Sequence, residues 1–206
     1  MSYGKKLSCF KTYDVRGKID EELNEEVAYR IGRATSQYLN AKIVALGFDA
    51  RQTSPSLAQA VARGACDAGA SVLEIGLSGT EEIYAAVSAL NADAGIMVTA
   101  SHNPIEYNGM KIVKKASKPL TMHEFTKIKQ LAEGNNFVMP KRVGSIIGQN
   151  GEAREAYINK ILGFIDLTIL KPLKIVINSG NGAAGPTIDA LNCKLKNKGV
   201  KTNFVY

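Results

Sequence analysis

Short apolar runs alternate with stretches of helical period along most of this 206-residue chain, and that alternation constrains its fold more than any other feature. Asp20 is placed to cap a helix in which Leu23, Val27, Ile31, Ala34 and Tyr38 share one face. Ile43 to Leu46 reads as a strand, Ser56 to Ala70 as a helix, and Val72 to Ile75 as a second strand. A helix from about Glu81 to Leu90 follows, then a strand ending at Ala100, a strand from Met110 to Val113, and a helix from Thr121 to Glu133. Strands separated by helices predict βαβ crossovers. The expected fold is therefore α/β, with a mixed, largely parallel core sheet and flanking helices. In such a sheet the loops after the strand ends converge on one edge, where ligands bind.

Residues 134–151 are rich in turn formers and carry no helical period, which predicts a boundary and a first domain over residues 1–149. Residues 150–206 then read as the start of a second α/β domain. Its elements are a helix from about Glu152 to Leu162, a strand from Leu173 to Asn178, a helix from about Ala183 to Lys198, and a strand beginning at Asn203 to Tyr206. So few elements cannot close a core alone, and the second domain is expected to be cut short. Ser179 to Gly185 contains GxGxxG between a strand and a helix, the setting of a dinucleotide site. The acid that such a site needs on the next strand is missing from Asn203 to Tyr206. A tight strand-to-helix turn with close packing is the preferred expectation.

Charge excludes one class of function. The net charge is +7, but residues 171–206 hold six lysines against one acid, so the rest of the chain is nearly balanced. A basic end without interleaved aromatics or an arginine stripe does not read as a nucleic-acid surface. No apolar run approaches the ~20 residues that span a membrane, and no membrane partner is expected. Cys9, Cys66 and Cys193 are odd in number and far apart, which predicts reduced, partly buried thiols rather than a disulfide or zinc framework. These features fit the cytoplasm.

The loops carry the chemistry. Gly95-Ile96-Met97-Val98 delivers Ser101 to a strand end, followed by His102, Asn103 and Pro104, and Lys111 comes on the next strand. A serine so placed can carry a covalent phosphoryl group, and a lysine nearby can take the proton of an incoming hydroxyl. Tyr13-Asp14-Val15-Arg16-Gly17 precedes the first helix, and Asp49 and Arg51 lie in the loop that opens the second. Arginine is a fixed-charge fork suited to phosphate, and a helix N-terminus attracts anions. Taken singly, Arg16 and Arg51 could equally be surface ion-pair partners, Asp49 a cap, and His102 a satisfied polar side chain. His123 reads as an exposed residue of a first helical turn.

Taken together, TASHNP at 99–104, the following NGxK at 108–111 and the preceding YDVRG at 13–17 resemble the α-D-phosphohexomutase family. LSCFKTYDVRGKI, IGLSGTEEIYAA and KIVINSGNGAAGP extend the similarity essentially from end to end, toward bacterial members that make mannose 1-phosphate for GDP-mannose and surface polysaccharides. The resemblance implies that mannose 6-phosphate and mannose 1-phosphate interconvert through a phosphoserine and a hexose 1,6-bisphosphate intermediate. It makes Ser101 the phosphoserine, with His102 and Asn103 positioning it. Lys111 becomes the general base and acid, and Arg16 assists proton and charge handling. Tyr13, Asn103, Asp49 and Arg51 would contact substrate or its phosphate. Lysine is a poor base at its reference pKa of ~10.4, so Lys111 would need a cation such as Arg16 beside it.

The resemblance also implies Mg²⁺, bound in part by the Ser101 phosphate, and a four-domain enzyme around one cleft. The aspartate loop that completes the metal site, DGDxDR-like, is absent from this sequence, as are the sugar reader and the distal phosphate clamp. The C-terminal domains of the same enzyme are thus the expected partners, and the chain alone is expected to show little activity. Preference for glucose phosphate, dual specificity, a phosphosugar-binding module without catalysis, and a remnant that associates with another protein remain open alternatives.

Overall fold

Ile43–Phe48 (β2) is apolar throughout, and its four central residues are buried. Such a run suits a strand covered on both faces, and β2 occupies the middle of the sheet. Ser71–Leu77 (β3) and Ala94–Val98 (β4) run parallel to it on either side. Tyr107–Lys114 (β5) lies antiparallel to β4, and Val15–Lys18 (β1) lies antiparallel to β5. Lys118–Pro119 (β6) folds back on β5, and Ile146–Gly148 (β7) adds a parallel strand beyond β3. The order along the sheet is β1-β5-β4-β2-β3-β7, a mixed sheet that is parallel around its centre, as expected. This is a computed structural model, and it describes residues 6–169, 173–174, 176–197 and 202–203.

Strand alternation divides the core into two layers. Val44, Leu46, Ile96, Val98, Met110 and Ile112 pack against Glu25–Tyr38 (α1), Ser54–Asp67 (α2) and Met122–Gly134 (α4). Their neighbours Ala45, Met97 and Val113 point the other way, onto Ile83, Ala86 and Val87 of Thr80–Ala89 (α3). Asn150–Leu162 (α5) joins this second layer, because Ala153 is buried in the same cluster. Ala184–Asn197 (α6) meets α5 through Leu195 against Ile158 and Leu162. Glu82 of α3 is 4% exposed; it pairs with Arg154 at 3.5 Å and accepts a hydrogen bond from Thr187, tying α3, α5 and α6 together.

Several expected boundaries move. The first helix is capped by Asn24, whose side chain accepts from the Val27 N–H at 3.0 Å. Asp20 instead sits at φ 64° in the preceding turn, its N–H bonded to the Leu23 carbonyl. Tyr13 to Gly17, read as a loop, contributes most of β1. The segment 134–151 contains β7, three residues that bond to β3. Within the expected strand 173–178, only Leu173–Lys174 (β8) is paired among the described residues. Its partner is Thr202–Asn203 (β9), in parallel. Phe204 to Tyr206 lie outside the described residues. Among the described residues, the close packing expected of the GxGxxG glycines is also not found. Gly180 needs its φ of +56°, but a Cβ at Gly185 would meet open space and one at Gly182 nothing nearer than 3.7 Å. Cys9 and Cys66 are buried, whereas Cys193 is exposed, and none of them is in a disulfide. No helix among the described residues is long and apolar enough to cross a membrane.

Candidate active site

β4 ends at Val98, and Thr99 and Ala100 carry the chain to Ser101 at the strand-end edge of the sheet. Ser101 is exposed and adopts φ 54°. A left-handed backbone costs a residue other than glycine on the order of 1–3 kcal/mol, so the surrounding structure must impose it. The Ser101 N–H donates to the Thr99 hydroxyl at 2.8 Å, and that hydroxyl donates to Asp49 Oδ2 at 2.6 Å. On the other side, the Ser101 carbonyl accepts from Arg51 Nη2 at 2.9 Å. The Ser101 Oγ has His102 Nδ1 at 3.3 Å.

Asp49 and Arg51 stand at the end of β2, next to β4. Asp49 Oδ1 accepts from the Arg51 N–H at 3.1 Å and from the Ser54 hydroxyl at 2.6 Å. The Arg51 guanidinium reaches across to four carbonyl oxygens of the serine loop. Besides Ser101 these are Asn103 at 2.6 Å, Pro104 at 2.8 Å and Tyr107 at 3.0 Å. Its Nε turns to Asp49 at 3.5 Å. Arginine has five N–H donors; four of them are hydrogen-bonded to the serine loop, and the fifth faces the Asp49 carboxylate as an ion pair. Sequence reasoning marked Arg51 and Asp49 as phosphate or substrate contacts; the structure bonds Arg51 to the backbone of the serine loop and Asp49 to Thr99, and both also line the cleft beside Ser101.

Asn108 extends this network and was not singled out from sequence, although it is the first residue of the NGxK motif. It is fully buried and donates to the Thr53 and Ser54 hydroxyls, both at 2.9 Å, while its oxygen accepts from the Gly109 N–H at 2.8 Å. The start of α2, the end of β2 and β5 are thereby fixed to one another. Thr99 was likewise visible in the motif without a role, because only the fold brings it onto Asp49.

Arg16 and Lys111 lie on neighbouring strands. Arg16 stands opposite Gly109, and Lys111, opposite Met97, is two residues further along β5 on the same face. That diagonal spans ~7–8 Å between backbones. The Arg16 guanidinium crosses over Gly109 to donate to the Thr99 carbonyl at 2.8 Å and also to the Val15 carbonyl at 2.8 Å, and it pairs with Asp14 at 3.2 Å. A Cβ on Gly109 would lie 2.6 Å from Arg16 Nη1 and 2.0 Å from the Val15 oxygen, so glycine is required there. Burial lowers the Arg16 pKa from its ordinary value; Asp14 opposes this, and the nearby Arg51 charge adds to it. Tyr13 is 78% exposed near Arg16, and Asn103 is half-buried.

A cleft of about 370 Å³ opens beside the serine. It is lined by Ser101, Asn103 and Ile105, by Asp49, Ala50 and Arg51, and by Asn181, Gly182 and Ala183. The glycine-rich loop therefore faces the serine across a space of small-molecule dimensions. Among the described residues no three His, Cys, Asp or Glu side chains converge as a metal site. Asp49 is spent on Thr99, Ser54 and Arg51. The residues present do not make a magnesium site by themselves.

Residues 7–139 match the family model described as "Phosphoglucomutase/phosphomannomutase, alpha/beta/alpha domain I". The chain belongs to that family. Among individual proteins, it is 49% identical over 201 residues to the phosphomannomutase of Salmonella typhimurium, covering 97% of this chain and 44% of that protein. It is 48% identical over 202 residues to the phosphomannomutase of Escherichia coli K12, covering 98% of this chain and 44% of that protein. A solved phosphoglucomutase/phosphomannomutase family protein from Burkholderia thailandensis superposes with a TM-score of 0.79 at 32% identity, over 97% of this chain and 44% of its own. The chain thus spans less than half the length of the relatives it matches.

Proposed function

We propose that Ser101 is the phosphoryl carrier of a phosphohexomutase acting on mannose phosphates. The observation that carries this reading is the backbone of Ser101. A serine is held in a left-handed turn by bonds on both of its peptide groups, with its hydroxyl exposed beside a cleft. The mannose preference rests on the names of the relatives.

In the proposed step a phosphate is carried on Ser101 Oγ. A sugar hydroxyl attacks the phosphorus, and the bond from phosphorus to Ser101 Oγ breaks as the bond to the sugar oxygen forms. Lys111 takes the hydroxyl proton as general base and returns it, as general acid, to the departing Ser101 Oγ, which His102 positions. The hexose 1,6-bisphosphate then turns over and returns its other phosphoryl group by the reverse path. Phosphoryl transfer demands alignment and charge neutralisation above all, and Arg16 supplies a fixed positive charge near Lys111 on the same strand face. Asn103, which lines the cleft, and Tyr13 would meet the sugar. Mg²⁺ would neutralise phosphate charge when bound, and a phosphorylated Ser101 is the one ligand these residues would offer it. Residues 1–149 would form the phosphoserine domain, and 150–206 the start of the next one. The reaction would serve GDP-mannose supply for surface polysaccharide, in the cytoplasm, together with the further domains that the longer relatives possess.

The test is direct. The chain is incubated with mannose 1,6-bisphosphate or glucose 1,6-bisphosphate and mapped by peptide mass. Phosphate on Ser101, absent from Ser101→Ala, is the expected result. Labelling that persists in Ser101→Ala, or no labelling with either sugar, refutes the reading, and faster labelling by the glucose compound refutes the mannose preference.

A further inference from the structure

We propose that Arg51 and Asp49, which line the cleft with Ser101, are positioning residues that hold Ser101 in its transfer geometry through its backbone. The inference rests on the reading of Ser101 as phosphoryl carrier. It comes from a closed circuit of bonds. Starting at Asp49 Oδ2, the path runs to the Thr99 hydroxyl (2.6 Å), to the Ser101 N–H (2.8 Å), across the serine to its carbonyl, to Arg51 Nη2 (2.9 Å), and through the Arg51 backbone N–H back to Asp49 Oδ1 (3.1 Å), with Nε and the carboxylate as an ion pair alongside. Ser101 is the one residue of the circuit that is strained, and both its peptide groups lie inside it.

The chemistry of the two side chains fits this role. A carboxylate accepts only, and Asp49 gathers the Thr99 and Ser54 hydroxyls and the Arg51 backbone N–H. A guanidinium donates only, and Arg51 gathers four carbonyls spread from Ser101 to Tyr107. Carbonyls crowded to one side of a loop repel one another, and a planar cationic fork is the group that reconciles them. Lysine carries the same charge but lacks the fork. Replacing Arg51 by lysine therefore separates positioning from simple attraction of a phosphate.

Two measurements on the whole chain decide the matter. The first is amide hydrogen exchange of the unphosphorylated protein. Arg51→Gln and Arg51→Lys are both expected to speed exchange across residues 101–107 by about tenfold or more, with the rest of the sheet unchanged. The second is single-turnover labelling of Ser101 by mannose 1,6-bisphosphate. Both variants should lose on the order of 10²-fold in maximal rate, the scale of a misplaced reacting group, with the half-saturating concentration within about twofold of the parent. Thr99→Ser, which keeps the hydroxyl, should retain the parent rate, and Thr99→Val should lose it.

Normal loop protection in Arg51→Gln overturns the proposal, as does full activity in Arg51→Lys. A rise in half-saturation with unchanged maximal rate would instead make Arg51 a substrate contact and refute positioning. If the parent chain takes no phosphate on Ser101, the functional reading fails, while the exchange measurement still decides whether Arg51 holds the serine turn.

Discussion

Gly109→Ala is expected to be among the costliest single-methyl additions near the site. The added Cβ would stand 2.0 Å from the Val15 carbonyl oxygen and 3.0 Å from its carbon, in the ladder between β1 and β5. Ordinary contact for such a pair begins near 3.4 Å, so the two strands must separate by more than an ångström or twist apart. Overpacking of this kind costs about 1–3 kcal/mol. The methyl group also occupies the path of the Arg16 guanidinium, 2.6 Å from Nη1, and expels it from the Thr99 carbonyl. Losing a hydrogen bond from a charged group adds about 1.5–3 kcal/mol. The two effects share one displacement and are not fully additive, so the expected total is roughly 3–5 kcal/mol.

Urea denaturation followed by circular dichroism measures this. With a slope of about 2–3 kcal/mol per molar, the midpoint should fall by about 1–2 M. Gly134→Ala is the control, because a Cβ there meets nothing within 4 Å at the end of α4. It should leave the midpoint unchanged or raise it slightly, since alanine favours the helix by up to about 1 kcal/mol. A Gly109→Ala midpoint within about 0.2 M of the parent would refute the argument. It would mean that β1 and β5 are not pressed together as described.

Two further outcomes follow from the electrostatics and the burial. The Lys114 ammonium donates to both Glu124 oxygens, and the Thr121 N–H adds a third bond; together they depress the Glu124 pKa to about 2. The unfolded carboxylate titrates near 4.5, so between these values the unfolded state binds more protons. Stability from this group is therefore complete above pH 4.5 and lost as pH falls toward 2. Glu124→Gln should flatten the acid limb of an unfolding curve by about 1 kcal/mol, no more, because the pair is near solvent. An unchanged acid limb would remove Glu124 from the account. For the thiols, burial pushes Cys9 up to about 11 and raises Cys66, whereas Cys193 is exposed. A disulfide reagent at pH 8 should titrate one thiol rapidly in the native chain and all three in denaturant, and loss of the fast phase in Cys193→Ser identifies it. A fast phase that survives that substitution would show that Cys9 or Cys66 is accessible.

The α/β alternation was legible because β2 and β4 are buried on both faces and therefore read as continuous apolar runs. β1 was not, because Val15-Arg16-Gly17-Lys18 places charge on every second residue and only its pairing with β5 makes it a strand. β7 escaped for a similar reason, being three exposed residues whose order comes from β3. Asp20 is a good capping residue by type, yet Asn24 wins because Asp20 is committed to the turn that buries Leu23. Within the site, Ser101 was visible from its motif. The engagement of Arg51 was not, since residue type supplies its charge but carbonyls from Ser101 to Tyr107 become its partners only when β5 folds back beside β4. The glycine-rich loop showed the same limit. Its pattern announced a turn, and the tertiary structure alone placed that turn across a cleft from Ser101.

The position of β1 has a consequence for synthesis. Arg16 donates to Thr99, 83 residues later in the chain, and among the described residues the strand that pairs along β1 is β5, with Val15 alone also bridging to Phe10. A ribosome adds about 5–20 residues per second, so an emerging chain carries this N-terminal strand unpaired for about 4 to 17 seconds before Thr99 is made. The cationic Arg16 and Lys18 alternate with its apolar positions, and charge on an unpaired strand discourages pairing with other chains. Arg16, which finishes the serine's surroundings, is therefore also one of the two charges that discourage the nascent strand from pairing elsewhere before its partner strand arrives.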